Sequence, residues 1–188
     1  ATYLERDASG TRVQPYYQSV ILALGSKPYQ SLADLEGVRF GFTSPDSTSG
    51  YAYPRMILEQ NGIDPNRYFQ DVFFLGRHTD VIRALQAGSL DAGAVSDGTY
   101  YNAQEATGGQ FRALVWSDPI PLDAIVAAPH VPPDFAAVVQ SSIVAIPEAS
   151  AVNQAIRDVL GWPAAGFEVR SDAFYNSVET ALGYSQPQ

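Results

Sequence analysis

The chain has 188 residues, 46% of them hydrophobic and 16% charged, which is enough to bury a sizeable core in one large or two small lobes and too apolar for disorder. It has no cysteine, which removes disulfides, thiolate metal sites and cysteine nucleophiles together. A net charge of −9 without a basic stripe argues against nucleic acid and anionic membrane surfaces, and no apolar run is long enough to cross a bilayer.

In chain order, residues 19–24 (SVILAL) read as a buried strand, 31–37 (SLADLEG) as a short capped helix, and 38–42 (VRFGF) as an alternating strand. A turn at 43–50 (TSPDSTSG) leads into a helix that stops at Asn61-Gly62. A strand at 72–75 and an amphipathic helix at 79–87 follow. Next come a small-residue strand at 90–95, a helix at 97–107 and a strand at 112–116. This alternation predicts a mostly parallel α/β sheet. Beyond Pro119 the texture changes. Residues 124–128 read as a strand, and 133–146, 150–160 and 172–182 as helices. The last two present apolar faces (Val152, Ile156, Phe174, Val178) with too few strands nearby to cover them, so their layer is expected to be incomplete.

The turn at 43–50 is where an open parallel sheet takes its ligand, beyond a strand's carboxyl end and at a helix start. There Ser44, Asp46, Ser47, Thr48, Ser49 and Gly50 crowd together. A helix start presents unpaired N–H groups and partial positive charge, hydroxyls add rotatable donors, and glycine lets a ligand approach the backbone. A P-loop is excluded, because no Gly-Lys-Ser/Thr follows. Helix capping explains one such residue but not four with a glycine. On the residues alone, cap and anion site both stand. His78 and Asp97 open helices after two further strands. Each has a plain reading as well, a satisfied structural histidine and a helix cap. Asp91 reads as structural, and His130, in a proline-rich turn, as exposed.

SPDSTSGYAYP (44–54) resembles the signature of the phosphate/phosphite/phosphonate-binding proteins of ABC importers, where an aspartate and a Ser-Thr-Ser-Gly run open a helix and a proline follows. SVILAL after Tyr16-Tyr17, NGIDP (61–65), GRHTDVIRAL (76–85), LDAGAV (90–95), WSDPIPLDAIVA (116–127) and LGWPAAGF (160–167) stand in the family's order and spacing. The likeness covers essentially the whole chain. It departs at the start, where family members have a first stretch missing ahead of Ala1.

The resemblance implies an α/β, type II periplasmic-binding-protein-like fold: two α/β lobes with a hinge, the first lobe incomplete. Lobe two would be 27–118. Partial lobe one and the hinge strands would be 1–26 and 119–188. It implies a small oxyanion (phosphonate, phosphite or phosphate) held in the interlobe cleft by Ser47, Thr48, Ser49 and His78, with Tyr17 closing over it. Asp97 would accept from a protonated ligand oxygen, and Asp123 would meet an aminoalkyl tail where there is one. It implies a membrane ABC permease as partner, no cofactor, no metal and no catalysis. The location would be periplasmic or extracytoplasmic, with a lipid anchor through the missing N-terminus left open. Two alternatives remain: a ligand-sensing domain of a membrane receptor, and a Ser/His hydrolase using Ser47, His78 and Asp97. The hydrolase reading lacks the G-x-S-x-G elbow. A related enzyme branch that makes a thiamine precursor relies on cysteine and histidine residues absent here.

Overall fold

The computed structural model describes residues 1–7 and 10–185. They form two compact units. Unit 1 is Ala1–Tyr17 with Pro121–Asn176, and unit 2 is Gln18–Ile120 with the chain from Ser177 onward. In chain order, β1 (Thr2–Arg6), β2 (Val13–Gln14) and β3 (Tyr16–Tyr17) precede β4 (Ser19–Leu24). Then come β5 (Arg39–Phe42), α1 (Tyr53–Gln60), α2 (Pro65–Tyr68), β6 (Asp71–Phe74), α3 (His78–Gln86), β7 (Ala92–Ser96), α4 (Asp97–Thr107) and β8 (Phe111–Trp116). The chain closes with β9 (Ile120–Pro121), α5 (Pro133–Val144), α6 (Ala151–Leu160), β10 (Ala164–Glu168) and α7 (Asn176–Ser185).

Unit 2 is built on a five-stranded sheet in the order β6-β5-β7-β4-β8. β5 runs parallel to β6 and β7, while β4 runs antiparallel to both β7 and β8, so one strand in five is reversed. β4 alternates its side chains between two cores. Ile21 and Ala23 meet Phe40, Phe42, Ile57 and Leu58 on the α1 face, and Val20 and Leu22 meet Val81, Leu85 and Tyr100 on the α3–α4 face. Residues 1–26 were expected in lobe one, yet β4 lies inside the sheet of unit 2. Its continuous apolar run explains why, since only an interior strand buries both faces. Asp91 ties β5 to the turn before β7, accepting from Arg39 Nε at 2.9 Å and from the Arg39 backbone N–H at 3.1 Å.

Unit 1 has a three-stranded sheet, β10-β1-β2, in which Thr2 pairs with Glu168 and Tyr3 with Phe167. Its small core gathers Tyr3, Leu122 and Ala164, with Tyr17, Ile156 and Phe167 against them. The strand expected at 124–128 is a correction. Ala124 makes only an isolated bridge to Thr2, and Ile125 and Val126 are exposed. Pro129 and Pro132 follow closely, and proline cannot donate to a ladder. No residue of α5 is buried, and Val159 on α6 is 80% exposed. Val152 is exposed too, whereas Ile156, Phe174 and Val178 are half-buried.

Candidate functional site

Because β6, β5 and β7 are parallel neighbours, their carboxyl ends deliver three turns to one edge of the unit 2 sheet. The middle turn, after β5, carries the Ser-Thr-Ser-Gly run. The turn after β6 carries His78, and the turn after β7 carries Asp97. Backbone bonds tie the first two together: Gly76 N–H donates to Thr43 O at 2.7 Å and Leu75 N–H to Phe42 O at 3.0 Å. His78 Nδ1 accepts from Ser96 N–H at 3.1 Å, joining the second turn to the third.

The middle turn starts a helix with an unusually wide first turn. Thr48–Ala52 winds as a π-helix and continues directly into α1. Ser47 is the N-cap, in extended conformation, and its Oγ accepts from Gly50 N–H at 3.0 Å. A hydroxyl that accepts still has its own hydrogen to donate, so capping leaves Ser47 one donor. Thr48 is half-buried, and Ser49 is 3% exposed. The Thr48 and Ser49 N–H groups precede the intrahelical ladder, where a helix start offers donors to an anion. The three hydroxyls are therefore not equivalent: Ser47 caps, Thr48 stands at the first helical position and Ser49 packs inward.

His78 is the first residue of α3, and burial pulls its pKa below the ordinary value. With Nδ1 accepting from Ser96, the neutral ring carries its proton on Nε2, which is then a donor. The depressed pKa means that the folded state binds this proton less readily than the unfolded chain does. Its contribution to stability is complete above the unfolded value of about 6.5 and is lost as pH falls below it. The advantage of wild type over His78→Gln in urea unfolding should accordingly shrink between pH 7.5 and pH 5.5. An advantage independent of pH would contradict the buried neutral ring. Asp97 opens α4, and its Oδ1 accepts from Gly98 N–H at 2.8 Å. Burial pushes its carboxyl up, partly offset by that bond and other backbone bonds, so it is readier than usual to hold a proton.

Tyr17 and Asp123 belong to unit 1. The Tyr17 ring lies against the Tyr3–Leu122–Ala164 core, and Asp123 is exposed, with its backbone carbonyl accepting from Tyr3 N–H at 3.0 Å. Sequence reasoning missed Ser19, whose Oγ donates to Ser49 O at 2.6 Å, and Thr43, whose side chain packs under Gly50. Ser19 left no signal because it heads an otherwise apolar strand.

Two α/β units, with a helix start and two further turns gathered at the carboxyl edge of one sheet, define a type II periplasmic-binding fold. Solved relatives share it. A binding-protein component of an ABC phosphonate transporter from Pseudomonas aeruginosa superposes with a TM-score of 0.70 at 20% identity, covering 98% of this chain and 62% of that one. PhnD1 from Prochlorococcus marinus (MIT 9301), solved with methylphosphonate, gives 0.72 at 20% identity over 96% of this chain and 69% of that one. A Xanthomonas citri protein solved with ATP gives 0.74 at 18% identity over 98% and 70%. The curated "Probable ABC transporter phosphite binding protein PhnD1" of Prochlorococcus marinus (strain MIT 9301) is 32% identical over 74 residues. That match spans 39% of this chain and a quarter (25%) of the relative.

The sequence model of the family described as "ABC transporter, phosphonate, periplasmic substrate-binding protein" matches residues 3–175, and the chain belongs to that family. Proteins of this family bind small ligands for membrane permeases and work outside the cytoplasm. Among the described residues, no helix is long and apolar enough to cross a membrane.

Proposed function

We propose that this chain is the solute-binding part of an ABC importer and takes a phosphate-like oxyanion (phosphonate, phosphite or phosphate) at the Ser47–Gly50 turn. One observation carries the reading: three strand ends bring the helix start, the neutral His78 and the proton-prone Asp97 to one sheet edge. The helix start and the Ser47 and Thr48 hydroxyls supply donors without a cation, which suits a protein of net charge −9. His78 Nε2–H adds a donor that is present without protonation of the ring. Asp97 beside an anion is favourable only with a proton between them, which its raised pKa favours. Tyr17 and Asp123 are proposed as further ligand contacts, a ring over the ligand and an acceptor for an aminoalkyl tail. A permease is the proposed partner. Binding without bond-making is the proposed activity, and the extracytoplasmic space the proposed location.

Isothermal titration with phosphate, phosphite, methylphosphonate and 2-aminoethylphosphonate tests the reading, and no heat with any of the four would refute it. Thr48→Ala should weaken the tightest of them by about 1–3 kcal/mol, the worth of one hydrogen bond to a charged group. An unchanged dissociation constant would take Thr48 out of the site.

A further inference from the structure

Ser49 marks a break in the hydrogen bonding of the wide first turn. The turn bonds each carbonyl to the N–H five residues on: Ala52 N–H to Ser47 O at 3.0 Å, then Tyr53 N–H to Thr48 O. The next rung would run from residue 54 to Ser49 O, but residue 54 is proline and has no N–H. A buried carbonyl left without a donor is costly. Here the donor comes from β4, as the Ser19 hydroxyl reaches Ser49 O at 2.6 Å. Ser19 is fully buried, at 0% exposure.

Ser19 is itself held. Its N–H donates to Ser117 Oγ at 2.9 Å, and Ser117 Oγ donates to Asp118 O at 2.7 Å. The preceding residue serves the third turn, since Gln18 O accepts from Asp97 N–H at 2.9 Å. What Ser19 fixes is a peptide plane. The Ser49 carbonyl and the Gly50 N–H lie in one rigid unit, with Ser19 Oγ on its oxygen and Ser47 Oγ on its nitrogen. Rotation of that plane would release the Ser47 cap and turn the neighbouring N–H groups away.

We infer that Ser19 is a positioning residue for oxyanion binding: its hydroxyl replaces the N–H that Pro54 lacks and locks the Ser49–Gly50 peptide, so that Ser47 and the helix start aim at the ligand. The inference rests on the proposed oxyanion site. Ser19 touches no ligand and acts through Ser49 and Ser47.

The test is a titration series with methylphosphonate and phosphite on wild type, Ser19→Ala, Pro54→Ala, the Ser19→Ala/Pro54→Ala pair and Leu85→Val. Leu85 lies in the α3–α4 core, so Leu85→Val reports a loss of stability that leaves the turn untouched. Ser19→Ala should weaken binding about tenfold or more, the scale of a misaligned bond to a charged group, with Leu85→Val unchanged. In the pair, residue 54 regains an N–H that can complete the rung to Ser49, and affinity should move back toward wild type. Should Ser19→Ala not fold, Ser19→Cys, close in size but a weak donor, takes its place in the same comparison. Wild-type affinity in Ser19→Ala, an equal loss in Leu85→Val, or no recovery in the pair would each overturn the inference. If wild type binds neither of these anions, nor phosphate or 2-aminoethylphosphonate, while these variants fold normally, the oxyanion reading itself falls and takes the inference with it.

Discussion

Replacing Gly50 with alanine should both destabilise the protein, by about 1–3 kcal/mol as for overpacking in a filled site, and impair oxyanion binding. A Cβ there would lie 1.9 Å from Thr43 Oγ1, 2.6 Å from Thr43 Cγ2 and 2.8 Å from Ser47 Oγ. Ser47 can swing away only by releasing Gly50 N–H, which would uncap the helix. Thr43 is β-branched and 2% exposed, with little room to turn. The predicted remedy is specific. Thr43→Ala removes two of the three obstructing atoms, including the nearest, and among the described residues Thr43 Oγ1 has no hydrogen-bond partner whose loss would add a cost. The Thr43→Ala/Gly50→Ala pair should therefore recover stability that Gly50→Ala loses, a coupling readable in a double-mutant cycle. Urea unfolding and titration on the four proteins give both readouts. A Gly50→Ala protein with wild-type midpoint and affinity would show that the close approach does not constrain the turn.

The largest loss of stability is expected from Phe40→Ala in the strand that feeds this turn. Phe40 is fully buried, stacked on Phe69 at 4.4 Å with an 11° interplanar angle, and tilted against Phe42 at 4.8 Å. Truncating a buried phenylalanine costs about 3–5 kcal/mol in transfer and cavity terms. For a chain of this length that corresponds to a fall in melting temperature of roughly 6–20 °C. A scanning-calorimetry shift of only a degree or two would mean that Phe69 and Phe42 collapse into the space. Phe40 lies two residues before Phe42 on the same strand face, so β5 should loosen where it launches the Ser-Thr-Ser-Gly turn.

Most of unit 2 was legible because its elements announce themselves locally. SVILAL became β4 over its whole length, and the helix expected at 97–107 is α4. Gly62 takes the positive φ that ends a helix where Asn61-Gly62 marked the stop. What failed was long-range or very short. β1 and β10 pair across almost the whole chain, and neither TYLER nor AAGFE carries a pattern strong enough to declare a strand alone. α2 has four residues, fewer than two turns, so periodicity cannot reveal it. Strand order is equally silent in a sequence, which is why β4 was grouped with its neighbours in the chain and not with β7 and β8. In the site, the residue types that open the three helices were readable. The division of labour among the three hydroxyls was not, because it depends on Pro54 and on a serine donated from another strand.

The chain leaves unit 1 after Tyr17, completes the five strands of unit 2 as one continuous insertion, and returns at Pro121. This layout has a kinetic consequence. Every strand pairing in the larger sheet closes within the insertion, so that sheet can assemble as soon as β8 exists. The smaller sheet must wait for β10, because Thr2 finds its partner only at Glu168. Contacts so distant along the chain carry a high loop-closure cost and form late. Refolding should therefore show two phases. The fast one would bury the Phe40 cluster. The slow one would pair β1 with β10 and bring the Tyr3 ring against Trp162 and Phe167, within reach of a tryptophan-fluorescence probe.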